Sequence, residues 1–302
     1  MSFWIVTDVC CDLPASYTKM QKALKVSPMS YQQNGESLII SPADEHPEQT
    51  AHVFYDHLRQ GGMATTSQIN QIEWQSIVKP LLKDGQDVLM LVFSSGLSGT
   101  CGAAKLAVDE LRSKFPDRKI FMVDSVSASM GEGLFVHHML KYRDAGNDID
   151  ACYAYAKQLA PRIIHWFTVD DLQFLRRGGR ISATSAYLGS MLKIKPVLNV
   201  DPKGRLMARE KVQGRKKSLR TLFEKVKLYA DQPAEQTLFI SHGDCLEDAQ
   251  WLENKLREEL GVKDILISVI GPIIGAHAGP GTVAVFFVGK TAEGRLDAPA
   301  HA

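Results

Sequence analysis

Residues 94–100 read SSGLSGT: three serines, two glycines and a threonine in seven positions, directly after the apolar run VLMLVF at 88–93. Hydroxyls and backbone N–H groups at a strand-to-helix turn can converge on an anion. Three chemistries fit: an ester under attack, a nucleotide phosphate, or a carboxylate that is only carried. A phosphate-binding P-loop closes on Gly-Lys-Ser/Thr, whereas this one closes on Gly99-Thr100-Cys101 with no lysine. A nucleophile elbow reads G-x-S-x-G, and GLSGT places the residues flanking Ser98 wrongly. A serine acyl hydrolase using Ser94, Ser95 or Ser98 with His277 stays as the alternative, without an orienting carboxylate in a recognisable motif. The same stretch also reads as a tight turn followed by a helix cap.

Two further stretches carry candidate groups. ATTSQINQIEW (64–74) sets Thr65, Thr66 and Ser67 before a helical pattern. Capping accounts for one hydroxyl, and three in a row suggest donors facing a ligand. GPIIGAHAGPGTVAVFF (271–287) places His277 in what reads as a loop with four glycines and two prolines. Such a loop allows close backbone approach and is stiff, and an imidazole there pairs with a carboxylate or moves a proton near neutral pH. VDDLQFLRRGGRIS (169–182) adds Asp170 and Asp171, which read as helix-capping residues, and Arg176, Arg177 and Arg180. With Lys211, Arg215, Lys216, Lys217 and Arg220, these arginines form either a solvated face or a docking surface for an anionic partner. No metal site is expected: His137 and His138 are adjacent, and His242 with Cys245 is an isolated pair.

The elements that must position these groups alternate. FWIVTD, VLMLVF and KIFMVD are short apolar strands, each followed by small or polar residues and a helix-compatible stretch. That order predicts a parallel sheet with helices on both faces, with Thr7-Asp8, Ser94-Ser95 and Asp124-Ser125 at the carboxyl ends, where ligands bind. After about residue 160 the order changes to hairpins and helices, including two strands around DPKG (201–204). The expected fold class is α/β with two domains. Residues 1–160 form an α/β/α domain carrying the Thr/Ser loops, 161–292 an α+β domain with a mixed sheet carrying His277, and 293–302 a flexible tail.

The 302 residues are 45% hydrophobic and 23% charged with a net charge of +1, which gives no bulk attraction to nucleic acid or acidic membranes. No apolar run is long enough to span a bilayer, and MSFWIVTD has no signal-peptide pattern. Five cysteines without a C-x-x-C pair suggest free thiols in a reducing, cytoplasmic setting.

In series, IVTDVCCDLP, TTSQ, SSGLSGT, VDSVSASMGEG, FTVDDLQFLRRGGRIS, LKIKPVL and IGPIIGAHAGPGTVAVFF resemble the DegV family of fatty-acid-binding proteins, which includes the binding subunit of bacterial fatty acid kinase. The resemblance runs from residue 5 to about residue 290. It implies two α/β domains around a tunnel for a long-chain fatty acid, no cofactor and no catalytic residues of its own. By motif, the carboxylate would be held by Thr65 or Thr66, Ser94 or Ser95, and His277. It implies a separate kinase subunit that phosphorylates the bound acid with ATP, with Arg176, Arg177 and Arg180 serving docking or the incoming phosphate. The chain departs from the family pattern at Val9-Cys10, where Ser-Thr is usual, at Ile69-Asn70, where Pro-Ser is common, and at CGAA after SGT.

Overall fold

The computed structural model describes residues 3–44, 46–181 and 194–296. The first part of the chain supplies β1 (Trp4–Asp8), β2 (Leu24–Ser27), β3 (Met29–Gln33), β4 (Glu36–Ile40), β5 (Ala64–Thr66), β6 (Val88–Val92) and β7 (Ile120–Asp124). Four of these form a parallel sheet in the order β2-β1-β6-β7, and β4-β3-β5 form a separate antiparallel sheet. The rest supplies β8 (Ile163–Thr168), β9 (Ile194–Val200), β10 (Leu206–Gln213), β11 (Thr237–His242), β12 (Asp264–Val269) and β13 (Val283–Val288). They form one mixed sheet, β10-β9-β8-β13-β11-β12, in which only β11 and β12 are parallel. The helices are α1 (Ala15–Met20), α2 (Pro47–Arg59), α3 (Gln71–Lys83), α4 (Thr100–Lys114), α5 (Met130–Asp144), α6 (Ile149–Leu159), α7 (Gln173–Arg177), α8 (Arg215–Tyr229), α9 (Leu246–Leu260), α10 (Pro272–Ala278) and α11 (Glu293–Leu296).

β6 shows why the parallel sheet forms. All five of its residues are buried, as a strand covered on both faces requires. Val88, Met90 and Val92 pack with Trp74 of α3 and Ala104 of α4, while Leu89 and Leu91 pack with Leu134 and Phe135 of α5. The α5 cluster continues into Phe167, Phe239 and Phe286 of the mixed sheet. One helix therefore fills the space between two sheets, and ten of its fifteen residues are buried. On the far side of the mixed sheet, Val283, Val285 and Phe287 meet Leu222 of α8 and Leu252 of α9.

Four features differ from the sequence reading. The β3–β5 sheet has no counterpart in it. α3 starts at Gln71, capped by Asn70 in a capping box with Glu73, so no hydroxyl of the TTS run caps it. His277 lies in the last turn of a helix, not in a loop: Pro272 sits at the start of α10, where its missing N–H costs nothing, and Gly279 ends it at φ +79°. Residues 293–296, expected in a flexible tail, are helical, and Arg295 is completely buried. Its guanidinium donates to the carbonyls of Val126 (2.9 Å), Asp201 (3.3 Å) and Ala160 (2.9 Å), tying α11 to the loop after β7 and to the β9–β10 turn. The remaining tail, 297–302, lies outside the described residues, as does Ser182 of the arginine-bearing stretch.

Candidate functional site

A cavity of about 380 Å³ lies between the carboxyl ends of the parallel sheet, α10 and the inner face of the mixed sheet. Its wall is mainly apolar, with Phe93, Leu97, Phe167, Leu175, Ile273 and Phe286 contributing. Polar groups gather at two ends. One end is partly open, because Gln68 and Gly99 are exposed and Thr66, Ser98, Arg180 and His277 are half-buried. The other holds Cys10, Ser129, His165 and Ser241, all buried.

At the open end, β5 delivers Thr66 and α10 delivers His277, and Thr66 Oγ1 lies 2.8 Å from His277 Nε2. Burial, reinforced by the Arg180 charge, lowers the His277 pKa to about 4, so the imidazole is neutral at pH 7. Its Nδ1 is buried without a hydrogen-bond partner. α7 packs its end directly on this ring: a Cβ at Gly178 would stand 2.2 Å from His277 Nδ1. Two residues later, Arg180 lines the cavity and donates from Nε to the Leu97 carbonyl at 3.2 Å, drawing the arginine-bearing stretch onto the SSGLSGT loop.

The SSGLSGT loop divides its serines between tasks. Ser94 is fully buried and does not line the cavity; its Oγ donates to the Gly204 carbonyl at 2.8 Å and accepts from the Gly96 amide. Gly204 adopts φ +73°, and a Cβ there would stand 2.0 Å from Ser94 Oγ, so this contact bolts the loop to the β9–β10 turn. Ser95 is exposed, with its N–H on Asp124 Oδ1 at 3.2 Å. Ser98 reaches the cavity and accepts from the Thr100 amide at the start of α4. Thr65 is exposed and sits opposite Gln32 in the β3–β5 pairing. The structure thus brings together Thr66, Ser98, Arg180 and His277, and sets Thr65, Ser94 and Ser95 outside the cavity wall. Arg176 and Arg177 are exposed on α7, with Arg177 over the Phe174 ring at 4.7 Å.

The Asp12–Ser129–Ser241 chain at the buried end has no signal in the sequence, although Thr7-Asp8 beside it is expected at a ligand-binding strand end. Asp12 Oδ2 lies 2.6 Å from Ser129 Oγ, which lies 3.0 Å from Ser241 Oγ, and Asp12 Oδ1 accepts from the Gly271 amide at 2.9 Å. Asp8 and Glu132 are close by and also completely buried. Thr7 donates to Glu132 Oε1 at 2.8 Å, and the other oxygen of each of these two acids has no partner. Desolvation raises Asp8 to about 6 and Asp12 to about 7, and it raises Glu132 well above the usual carboxylate range, with the Asp8 charge adding to the effect. Cys10, one of the departures from the family pattern, presents its thiol here and contacts Met29 Sδ at 3.3 Å.

Other chemistry finds less support. Ser98 and His277 share the cavity, but the imidazole meets Thr66 on one nitrogen and no carboxylate on the other, so the orienting member of a triad is missing. Among the described residues, His52, Asp56 and Asp244 have metal-like spacing, but they are surface groups, and Arg59 bonds both aspartates. No helix among them is long and apolar enough to cross a membrane.

Known proteins agree with this architecture. A DegV domain-containing protein of Clostridium perfringens is 43% identical over 292 residues, covering 96% of this chain and 99% of that one. A DegV lipid-binding protein of Thermotoga maritima superposes with a TM-score of 0.82 at 28% identity, covering 96% of this chain and 99% of that one. A DegV family protein of Thermus thermophilus, described by its fatty acid binding, superposes with a TM-score of 0.82 at 27% identity, covering 95% and 99%. The profile of the DegV family of uncharacterised proteins matches residues 2–290. With nearly every residue of the chain accounted for in this way, the protein belongs to the DegV family.

Proposed function

We propose that the cavity holds a long-chain fatty acid, with its carboxylate at the open end among Thr66, Ser98, Arg180 and His277 and its chain against the apolar wall. One observation carries the reading: a mainly apolar cavity whose half-open end gathers two hydroxyls, a guanidinium and an imidazole with no catalytic carboxylate. The fatty-acid and lipid binding of the Thermus thermophilus and Thermotoga maritima proteins supports it. Residues 1–160 and 161–292 act as two lobes, with Ser94 and Gly204 as one of their joints. Thr65 and Ser95, exposed beside the opening, stand where a partner meets the complex.

The energetics divide the labour. Removing a C16 chain from water at ~0.8 kcal/mol per methylene supplies roughly 10 kcal/mol of gross driving force, much of it offset by ordering the chain. Charge-assisted hydrogen bonds add about 1.5–3 kcal/mol each. The wall therefore sets affinity, and the open end sets head-group choice and presentation. The protein itself is non-catalytic and acts in the cytoplasm, where its free cysteines stay reduced. It presents the acid to a separate ATP-dependent fatty acid kinase subunit, which docks over the exposed Arg176 and Arg177 and forms the acyl phosphate. This step rests on the order of the sequence segments and on the half-open carboxylate end.

With a fatty acid kinase catalytic subunit and ATP, Thr66→Val and His277→Ala are expected to lower acyl-phosphate formation about 100-fold or more. Both should weaken binding of the acid by only about tenfold. Turnover and calorimetric affinity measured on the same preparations check this. Parallel losses of turnover and affinity would contradict the division, and so would full turnover in both variants.

A further inference from the structure

The buried end of the cavity is built for an oxygen. Ser129 and Ser241 line this end of a mainly apolar cavity, and both are buried. Asp12 anchors the pair and orders its protons. When Asp12 is ionised, the 2.6 Å contact takes the Ser129 proton and the 3.0 Å contact takes the Ser241 proton. Ser241 Oγ then keeps its remaining acceptor capacity on the cavity side. Asp12 is already satisfied by Ser129 and the Gly271 amide, so Ser241 is not needed to support it.

Two further observations mark the same place. His165 is 1% exposed and lines this end. Its Nε2 accepts from the Ala128 amide at a long 3.5 Å. Ser129 holds φ 53° and ψ −145°, a left-handed conformation that favours glycine, yet it keeps its side chain in the chain of hydroxyls. A saturated hydrocarbon end would leave these polar atoms facing methylenes, a costly arrangement.

We infer that Ser241, positioned by Ser129 and Asp12, forms a second polar subsite that recognises a hydroxyl borne on the acyl chain away from its carboxylate. The natural ligand class is then a hydroxy fatty acid. A ligand hydroxyl donates to Ser241 Oγ. The inference rests on the proposed fatty-acid binding and specifies its ligand.

Calorimetric titration of the full chain with stearate and with a panel of hydroxystearates differing in hydroxyl position tests it. At least one isomer should bind as tightly as stearate or tighter. Ser241→Ala should reduce the ratio of that isomer's affinity to stearate's by about tenfold, and Ser241→Thr, which keeps the hydroxyl, should restore it. Ser129→Gly, which removes the hydroxyl and leaves Asp12 Oδ2 without that partner, should lower the ratio similarly, with thermal melting of the same sample reading its fold. An unchanged ratio in Ser241→Ala, or rejection of every isomer while stearate binds, overturns the subsite and leaves the fatty-acid reading intact. Failure of all the acids, stearate included, overturns both.

Discussion

Ala284→Phe should weaken binding of a C16–C18 acid by more than 100-fold while leaving the protein folded. β13 divides its side chains by alternation: Val283, Val285 and Phe287 pack on the α8/α9 side, whereas Ala284 and Phe286 line the cavity. A phenyl ring on Ala284 occupies space that the chain needs. Excluding about four methylenes forfeits ~3 kcal/mol, which is a factor of more than 100. Because the ring enters a void rather than a filled core, the overpacking penalty should be small. Calorimetric titration with thermal melting of the same sample reads both quantities. Affinity within about threefold of the parent, with the melting temperature preserved, would mean that the acyl chain lies elsewhere.

Asp8→Asn should remove a pH-dependent cost of folding. The folded-state pKa of Asp8, about 6, stands above the unfolded value of 3.8, because burial disfavours the carboxylate more than the Cys10 amide contact favours it. The folded protein thus retains a proton that the unfolded chain releases. The associated stability is fully present below the unfolded pKa and is lost as pH rises through about 6. That loss amounts to about 3 kcal/mol by pH 8. Asparagine keeps the oxygen that accepts from Cys10 and replaces the one without a partner. The stability of Asp8→Asn minus that of the parent should therefore rise by about 2.5 kcal/mol between about pH 4 and about pH 8 in urea titrations. A difference that stays flat with pH would show that the Asp8 carboxylate titrates normally. Asp12 and Glu132 act in the same direction, whereas the buried neutral histidines His137, His165 and His277 act oppositely, losing stability as pH falls. The comparison of variant with parent cancels the histidine contributions, whose shifts do not come from the Asp8 charge.

How much of this was legible in the sequence depended on the range of the interactions involved. The strands ending in Asp8, Val92 and Asp124 are short apolar runs, and their parallel pairing follows from alternation with helices. The DPKG turn between β9 and β10 is local chemistry and reads directly. His277 was singled out as a residue but misplaced: its glycines and prolines read as a loop, whereas Pro272 and Gly279 are the start and stop signals of a short helix. Thr66 and Thr65 are indistinguishable by composition, and only strand alternation in β5 turns one toward His277 and the other outward. Ser94, Ser95 and Ser98 share one motif, and only the tertiary contact with Gly204 separates the bolt from the cavity residue. The Asp12–Ser129–Ser241 chain joins residues more than a hundred positions apart and has no local signal. Arg295 was missed because four residues of helix beside a polar terminus look like tail until their carbonyl partners are known.

The most direct measurement is native mass spectrometry of the protein purified from a host that makes or is fed long-chain acids, followed by denaturation and identification of what is released. The mass should exceed that of the bare chain by one acyl carboxylic acid, exchangeable for an added isotope-labelled acid. Lipid-free protein on repeated isolation, taking up no acid when one is supplied, would contradict the claim that a carboxylate-tipped hydrocarbon is what this cavity carries.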